Sequence, residues 1–545
     1  MPKIYLSDID TIKKFMLEDA DEQQESIEAA SDVDSQPIED PLLNSPSKSQ
    51  PQPPSEDNTI EDKPYFFKTI LFFTNERDSS KNKTLKNLEE AIEGKNIDIV
   101  VLVSDEVHYK AMDDKIMIND NKTKYVIDKQ SNIDTIAIVR LGAQDSEECM
   151  ECIKEIQDWG LFVLNPIQPA KRASNKYQSC VLMERYGIPQ PKFTLLTKND
   201  VKDGMDSLTK KLKLIYKDAD KNEDAENYEY VVKKLDGHGG TGVFMVNGKT
   251  ILAILQAMFS IDEDLELLLQ KKQDADGGDI RVHVLTMRTS QKILASMKRK
   301  KIGKDFRSNI SLGATAEPVE LTREQEEIAL KVAKISGMPW CAVDIMPLVK
   351  GSDDDFKEVG YNVVLEFNAS PGTDGISEVI KENFCKILLD NINDINELTL
   401  APKSIGYLED ITITMEDEET ITFEAKLDTG NGAKASTIGC DEVKTIDDNV
   451  IAKIGDKQYY FKKSGKSKAI VGQVTEERVV VEVPCIQIGT RKLLNAEFAL
   501  VDNRNKKQKV LLNRDIMSKL AYMINPSKSH LIEDEFSELK QNAKK

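Results

Sequence analysis

The stretch Tyr230-Val-Val-Lys-Lys-Leu-Asp-Gly-His-Gly-Gly-Thr-Gly-Val-Phe-Met245 decides how the centre of this 545-residue chain is read. Gly237, Gly239 and Gly242 satisfy G-x-G-x-x-G, and Gly240 completes a glycine-rich turn. That pattern serves a dinucleotide only where a helix opens at the loop, so that the pyrophosphate meets the helix N-terminus. Here Val243-Phe-Met-Val246 continues as a strand. The loop is therefore expected at the tip of a hairpin, where backbone N–H groups can close over phosphates. A protein kinase also uses a glycine hairpin, but its lysine follows the loop and H-R-D and D-F-G accompany it. Here Lys233 precedes the loop, and neither motif occurs. A glycine turn without chemistry is the bland alternative.

The residues downstream weigh against that alternative. Trp340-Cys-Ala-Val-Asp-Ile-Met346 and Tyr361-Asn-Val-Val-Leu-Glu-Phe367 read as strands joined by the acidic loop 351–358. Two-residue spacing puts Glu366 and Asn368 on one strand face, where Asp344 of the neighbouring strand can meet them. Two carboxylates and an amide oxygen in otherwise apolar strands suit magnesium shared with phosphate oxygens. Between these motifs lies the basic stretch Met297-Lys-Arg-Lys-Lys-Ile-Gly-Lys-Asp-Phe-Arg-Ser-Asn309. Arg307 and Asn309 can clamp a transferring phosphoryl group, and Lys298 and Arg299 can receive a carboxylate substrate. Lys300, Lys301 and Lys304 read as a solvated charge run.

The order Lys176, Lys233 with its glycine loop, Gln270, Asp279-Ile-Arg281, Asp305-Phe-Arg-Ser-Asn309, Asp344 and Glu366-Phe-Asn-Ala-Ser-Pro-Gly372 resembles the ATP-grasp superfamily. Within it, the last motifs are similar to those of RimK-type α-L-glutamate ligases, over about residues 66–392. The resemblance implies that ATP and two Mg2+ or Mn2+ ions are bound and that a carboxylate is activated as an acyl phosphate for attack by an amine. Lys176 and Lys233 would contact phosphates; Gln270, Lys271 and Lys272 would line the adenine pocket; Asp279 would sit near the ribose. Arg307, Ser308 and Asn309 would face the γ-phosphate, and Asp344, Glu366 and Asn368 would hold the metal. Many relatives carry an acid and an aromatic where this chain has Lys271-Lys272. The implied partners are glutamate, or a similar amino acid, and a protein or peptide acceptor.

Outward from this centre the pattern changes twice. Before it, strands over 69–73, 97–103, 133–139 and 161–165 alternate with helices over 85–92 and 146–159, as in a small parallel α/β unit. Arg140-Leu-Gly142 fits the same family's N-terminal domain. Thr322 to Gln325 reads as a capping box for a helix closing at Gly337. After residue 400, short alternating strands such as Thr420 to Leu427 dominate, with one short helix over 514–521. Leu427-Asp-Thr-Gly430, followed by Leu512-Asn513-Arg514, is similar to the retropepsin-like domain found beside RimK-type ligases. There relatives carry hydrophobic-hydrophobic-Gly-Arg, and some have been labelled ATP-dependent zinc proteases. One Asp428 per chain requires a dimer for aspartic-protease chemistry, which needs two carboxylates. Peptidase action through paired Asp428, or peptide binding without cleavage, are the alternatives to a plain ligase. Zinc finds no support, since the four histidines (108, 238, 283 and 530) form no H-E-x-x-H and Cys149-x-x-Cys152 stands alone.

The expected architecture is α/β and α+β. It comprises a disordered acidic tail (1–64), an N-terminal α/β domain (65–165), an ATP-grasp domain (166–400), a small all-β domain (401–535) and a polar end (536–545). The net charge of −20 argues against nucleic acid, and no apolar run is long enough for a membrane span. The tail holds 16 Asp/Glu against 5 Lys/Arg, a net of −11. Seven scattered cysteines suit a reducing cytoplasm, and a homo-oligomer is expected.

Overall fold

The computed structural model describes residues 65–531, apart from 113–114, 129–133, 142–144, 217–226, 237–241, 289, 301–314, 394–402, 416–418, 431–432, 434, 472–473, 490 and 503–506. The expectations for the tail, the polar end, the glycine loop up to Thr241 and Arg307-Ser308-Asn309 lie outside the described residues.

The N-terminal part runs β1 (Thr69–Thr74), α1 (Lys83–Ala91), β2 (Asp98–Val103), β3 (His108–Ala111), β4 (Lys115–Asn119), β5 (Lys124–Asp128), β6 (Thr135–Val139), α2 (Glu147–Asp158) and β7 (Phe162–Leu164). Its sheet is parallel, in the order β2-β1-β6-β7, as strand–helix alternation predicts. β6 is buried along its whole length, which is why it reads as a continuous apolar run. The helices start where side-chain caps stand: Asn82 accepts from Leu85 N–H, and Ser146 from Cys149 N–H. β3, β4 and β5 form a separate antiparallel sheet.

The central part runs α3 (Ile167–Ser174), α4 (Lys176–Arg185), β8 (Phe193–Leu196), α5 (Met205–Ile215), β9 (Glu229–Lys234), β10 (Val243–Asn247), α6 (Ile251–Ile261), β11 (Leu267–Lys271), β12 (Asp279–Thr286), β13 (Gln291–Lys300), β14 (Thr315–Pro318), α7 (Arg323–Ser336), β15 (Trp340–Pro347), β16 (Asn362–Asn368), α8 (Asp374–Ile380) and α9 (Phe384–Ile392). Two antiparallel sheets result, β10-β9-β11-β8 and β14-β13-β12-β15-β16. The hairpin reading holds: β9 pairs with β10 with Lys233 opposite Val243, and Lys234 N–H donates to Gly242 O at 2.8 Å. Gly242 has φ 64°, a conformation glycine adopts without strain. α7 carries the expected capping box at Thr322 and Gln325 and ends at Gly337, φ 75°.

The N-terminal and central parts share one core. Phe67, Ile70, Leu85 and Leu88 pack in a single cluster with Leu285, Trp340, Phe384 and Leu388. Asn165, just after β7, ties the parts further. Its side-chain amide donates to Trp340 O at 2.5 Å and Ala369 O at 2.6 Å, and its Oδ1 accepts from Trp340 N–H at 3.0 Å.

The C-terminal part runs β17 (Lys403–Gly406), β18 (Leu408–Thr414), β19 (Thr420–Leu427), β20 (Ser436–Cys440), β21 (Glu442–Ile446), β22 (Asn449–Ile454), β23 (Lys457–Val471), β24 (Val474–Ile488), β25 (Arg491–Asp502), β26 (Val510–Leu512), α10 (Arg514–Lys519) and β27 (Tyr522–Asn525). β18-β19-β26-β20-β25-β24 closes on itself through a β18–β24 pairing, giving a barrel with its own core. β23 and β24 are 15 residues each, longer than the short strands that the sequence pattern suggests. Their extra length carries charged pairs such as Lys466–Glu477 at 2.9 Å, which read as polar sequence rather than strand.

His283 lies in the shared core, fully buried, with its ring centroid 4.6 Å from that of Phe384 and no hydrogen bond to either ring nitrogen. Burial, helped by the Arg281 charge, pushes its pKa down to about 3. The folded chain thus binds this proton less readily than the unfolded chain. Stability is complete above about pH 6.5 and declines as pH falls from there through the depressed folded value. Near about pH 4.5 the loss from this residue is roughly 2–3 kcal/mol. His283→Phe should remove that component, so thermal melts near neutrality and near about pH 4.5 should differ less for the variant than for the wild type. Equal acid sensitivity in both chains would refute it.

Candidate active site

A cavity of about 920 Å3 opens between the two central sheets and the carboxyl ends of the N-terminal strands. Its floor is a charged face on the β12, β13, β15 and β16 strands. Cross-strand register puts Arg281 opposite Asp344, Asp344 opposite Glu366, and Asp279 opposite Arg299. Asp279 and Arg281 share a face because they are two residues apart. Arg281 grips Asp344 with two bonds, Nε to Oδ1 at 2.8 Å and Nη2 to Oδ2 at 2.7 Å. Arg299 Nη2 reaches the same Asp344 Oδ2 at 2.9 Å, while its Nε donates to Asp279 Oδ1 at 2.9 Å. Asn368 Nδ2 stands 3.4 Å from Asp344 Oδ2. Burial alone would raise the Asp344 pKa; Arg281 and Arg299 outweigh it and hold the carboxyl well below the usual carboxylate range.

Lys176 is the first residue of α4, capped by Asn175, and its N–H donates to Leu235 O at 2.9 Å. Burial lowers its pKa; Glu366 opposes that shift and Lys233 adds to it, so the three charges act within one field. Lys233 on β9 and Gln270 on β11 are buried, and both line the cavity. At the far end, Lys271 Nζ pairs with Asp353 at 2.6 Å and lies 5.3 Å from the Tyr216 ring centroid. Lys272 Nζ pairs with Asp274 at 2.9 Å and Glu229 at 3.3 Å. The acidic loop 351–358 therefore supplies a partner for Lys271.

The cavity brings together Lys176, Lys233, Gln270, Lys271, Lys272 and Asp279 with Arg299, Asp344, Glu366 and Asn368. Lys298 stands apart, its Nζ near Gly277. Two expectations change in content. Arg299 already holds Asp279 and Asp344, leaving it less able to receive a substrate carboxylate. Asp279 is buried and taken up by Arg299. The sequence reading gave Arg281 no role, although its place two residues after Asp279 was the available signal. Oxygen donors from Asp344, Glu366 and Asn368 fit a hard divalent cation that completes its shell with phosphate and water. Among the described residues, no three His, Cys, Asp or Glu side chains form an all-protein metal cage.

In the C-terminal barrel, Asp428 follows β19 and accepts from Gly430 N–H at 3.0 Å, while its own N–H donates to Leu512 O at 3.0 Å. Asn513 is fully buried. Its side chain caps α10 at Ile516 N–H and donates to Ala433 O at 2.7 Å, and its N–H donates to Ser436 Oγ at 2.9 Å.

Residues 173–392 match the profile of a RimK-like ATP-grasp domain. The chain is 28% identical over 278 residues to a "Probable alpha-L-glutamate ligase" of Vibrio atlanticus, covering 51% of this chain and 82% of that one. A protein of the same description from Teredinibacter turnerae is 29% identical over 257 residues, covering 47% and 75%. Among solved structures, D-alanyl-alanine synthetase A of Vibrio cholerae aligns at 15% identity with a TM-score of 0.43, over 60% of this chain and 99% of that one. Residues 173–392 are thus a RimK-like ATP-grasp domain, and the chain is a ligase, an enzyme that forms carbon–nitrogen bonds.

Removing the Asp344 charge leaves two guanidinium groups without their shared partner. Asp344→Asn should destabilise the chain by about 3–5 kcal/mol, whereas Glu366→Gln should stay within about 1 kcal/mol of wild type. Urea midpoints followed by tryptophan emission separate the two, and similar midpoints for both variants would overturn the hub role of Asp344.

Proposed function

We propose that this ligase adds glutamate, or a similar amino acid, to a protein or peptide carboxylate through an acyl phosphate. What supports the reading is one arrangement: the Arg281–Asp344–Glu366 row faces Lys176 and Lys233 across a single cavity. A carboxylate resists amines because its charge is delocalised. Transfer of the terminal phosphoryl group of ATP to a carboxylate oxygen gives a mixed anhydride, and the amine then attacks the acyl carbon as phosphate leaves. Lys176 and Lys233 bind the polyphosphate, and Gln270 and the backbone beside Lys271 meet the base. Asp344, Glu366 and Asn368 would hold two magnesium or manganese ions, which would offset charge on the phosphoryl oxygens. Arg281 and Arg299 fix the orientation of Asp344. The proposal also assigns the glycine loop 237–242 and Arg307, Ser308 and Asn309 to the phosphates.

For the barrel we propose a retropepsin-like domain that binds the peptide acceptor, with Asp428 at its turn. The bonds from Asp428 and Asn513 to the strands behind that turn support this reading. A homo-oligomer in the cytoplasm is part of the proposal.

With Mg2+, L-glutamate and peptides from a lysate, the purified chain should release ADP, and isotope-labelled glutamate should appear in a defined acceptor by mass spectrometry. Lys233→Ala should abolish both signals. Persistent absence of ADP with every acceptor would sink the ligation chemistry. If peptides were instead cleaved, and cleavage stopped in Asp428→Asn, the barrel would be a peptidase rather than a binding module.

A further inference from the structure

One wall of the cavity has no part in the proposed handling of ATP. In the N-terminal sheet the chain passes from β1 outward to β2, then returns to β6 on the other side of β1. Such a reversal opens a crevice outside the carboxyl ends of the two adjacent strands, where open α/β sheets bind ligands. β1 runs into Asn75 and Glu76, β6 runs into Arg140 and Leu141, and all four residues line the cavity. Arg140 N–H donates to Phe73 O at 2.8 Å and fixes the crevice floor.

Arg140 is a cation without a carboxylate partner among the described residues. Its guanidinium lies 5.6 Å from the Trp340 ring centroid, and Nη1 donates to Pro371 O at 2.8 Å. Burial pushes its pKa down to about 10, so it remains charged near neutrality. Two acids that line the cavity beside the crevice are engaged elsewhere. Glu76 Oε1 accepts from Asp78 N–H at 2.8 Å, and Asp374 pairs with Lys83 at 3.0 Å and accepts from Asn87 at 3.1 Å. A desolvated guanidinium left unpaired is unfavourable, and its planar fork matches a carboxylate with two parallel bonds. Pro371 is three residues beyond Asn368, so Arg140 sits at the reacting end of the cavity, away from Lys271 and Lys272.

Resting on the ligase reading, we propose that the β1–β6 crevice, with Arg140 at its floor, seats the carboxylate of the incoming amino acid. The amine of an amino acid lies two bonds from its carboxylate carbon, so gripping the one orients the other toward the acyl carbon. Arg140 is a specificity-determining residue for the amine-bearing substrate.

The chain has two tryptophans, so in the full chain carrying Trp159→Phe, Trp340 beneath Arg140 reports on the crevice. With Mg2+ and a non-hydrolysable ATP analogue present, each standard amino acid is titrated, beginning with L-glutamate, alongside its amide and inorganic phosphate. A saturable emission change is expected with the amino acid and none with the amide. Arg140→Gln should weaken that response by at least about tenfold, the loss of a charged hydrogen-bonded pair, with part recovered in Arg140→Lys. In turnover, KM for the amino acid should rise while KM for ATP holds. A response to phosphate alone, to no amino acid, or of equal strength in Arg140→Gln overturns the subsite. Binding at Arg140 without any ADP release would keep the subsite and remove the ligase reading. ADP release with an unchanged amino-acid KM in Arg140→Gln would do the reverse.

Discussion

A single buried carboxylate shared by two arginines organises the centre of this chain. Asp344 faces Arg281 across one strand pair and takes a third bond from Arg299, which in turn holds Asp279. Burying these charges is tolerable only when each finds its partner, because a one-residue slip would turn every partner to the opposite face. Strand register and site geometry are therefore one constraint. The β-bulges between His283 and Val284 and between Asp344 and Ile345 fall beside this row, where the sheet must depart from regular pairing to aim its side chains.

Local features were readable from the sequence. The hairpin around Lys233, the parallel alternation before residue 165, the Thr322 capping box and the shared face of Glu366 and Asn368 each follow from periodicity or turn chemistry within a few residues. The arginine pairing was not readable, since it depends on which strands become neighbours. Arg299 was expected to receive a substrate carboxylate, yet alternation turns it inward onto Asp279 and Asp344 while Lys300 pairs with Glu317 outside. Arg140 looked like a family marker, and only the order of the N-terminal strands gives it a place.

Two polar side chains that look out of place in sequence find partners in the fold. Lys271 lines the cavity, and Asp353 of the acidic loop meets it. Asn513 is buried, and its four polar contacts tie helix α10 to the segment after Asp428. In both cases the side chain is met by a polar group far along the chain, which no window of neighbouring residues reveals.

The shared core bears on how such a chain can be assembled from genetic parts. Phe67, Leu85 and Leu88 are packed with Trp340, Phe384 and Leu388, and Asn165 bonds to both Trp340 and Ala369. A recombination crossover between the N-terminal and central coding segments would have to rebuild that apolar interface and the amide clamp together. Among the described residues, the buried apolar side chains of the barrel form a cluster of their own. A crossover near residue 400 would meet neither obstacle, so the barrel is the segment that recombination can exchange while the rest is inherited as a unit.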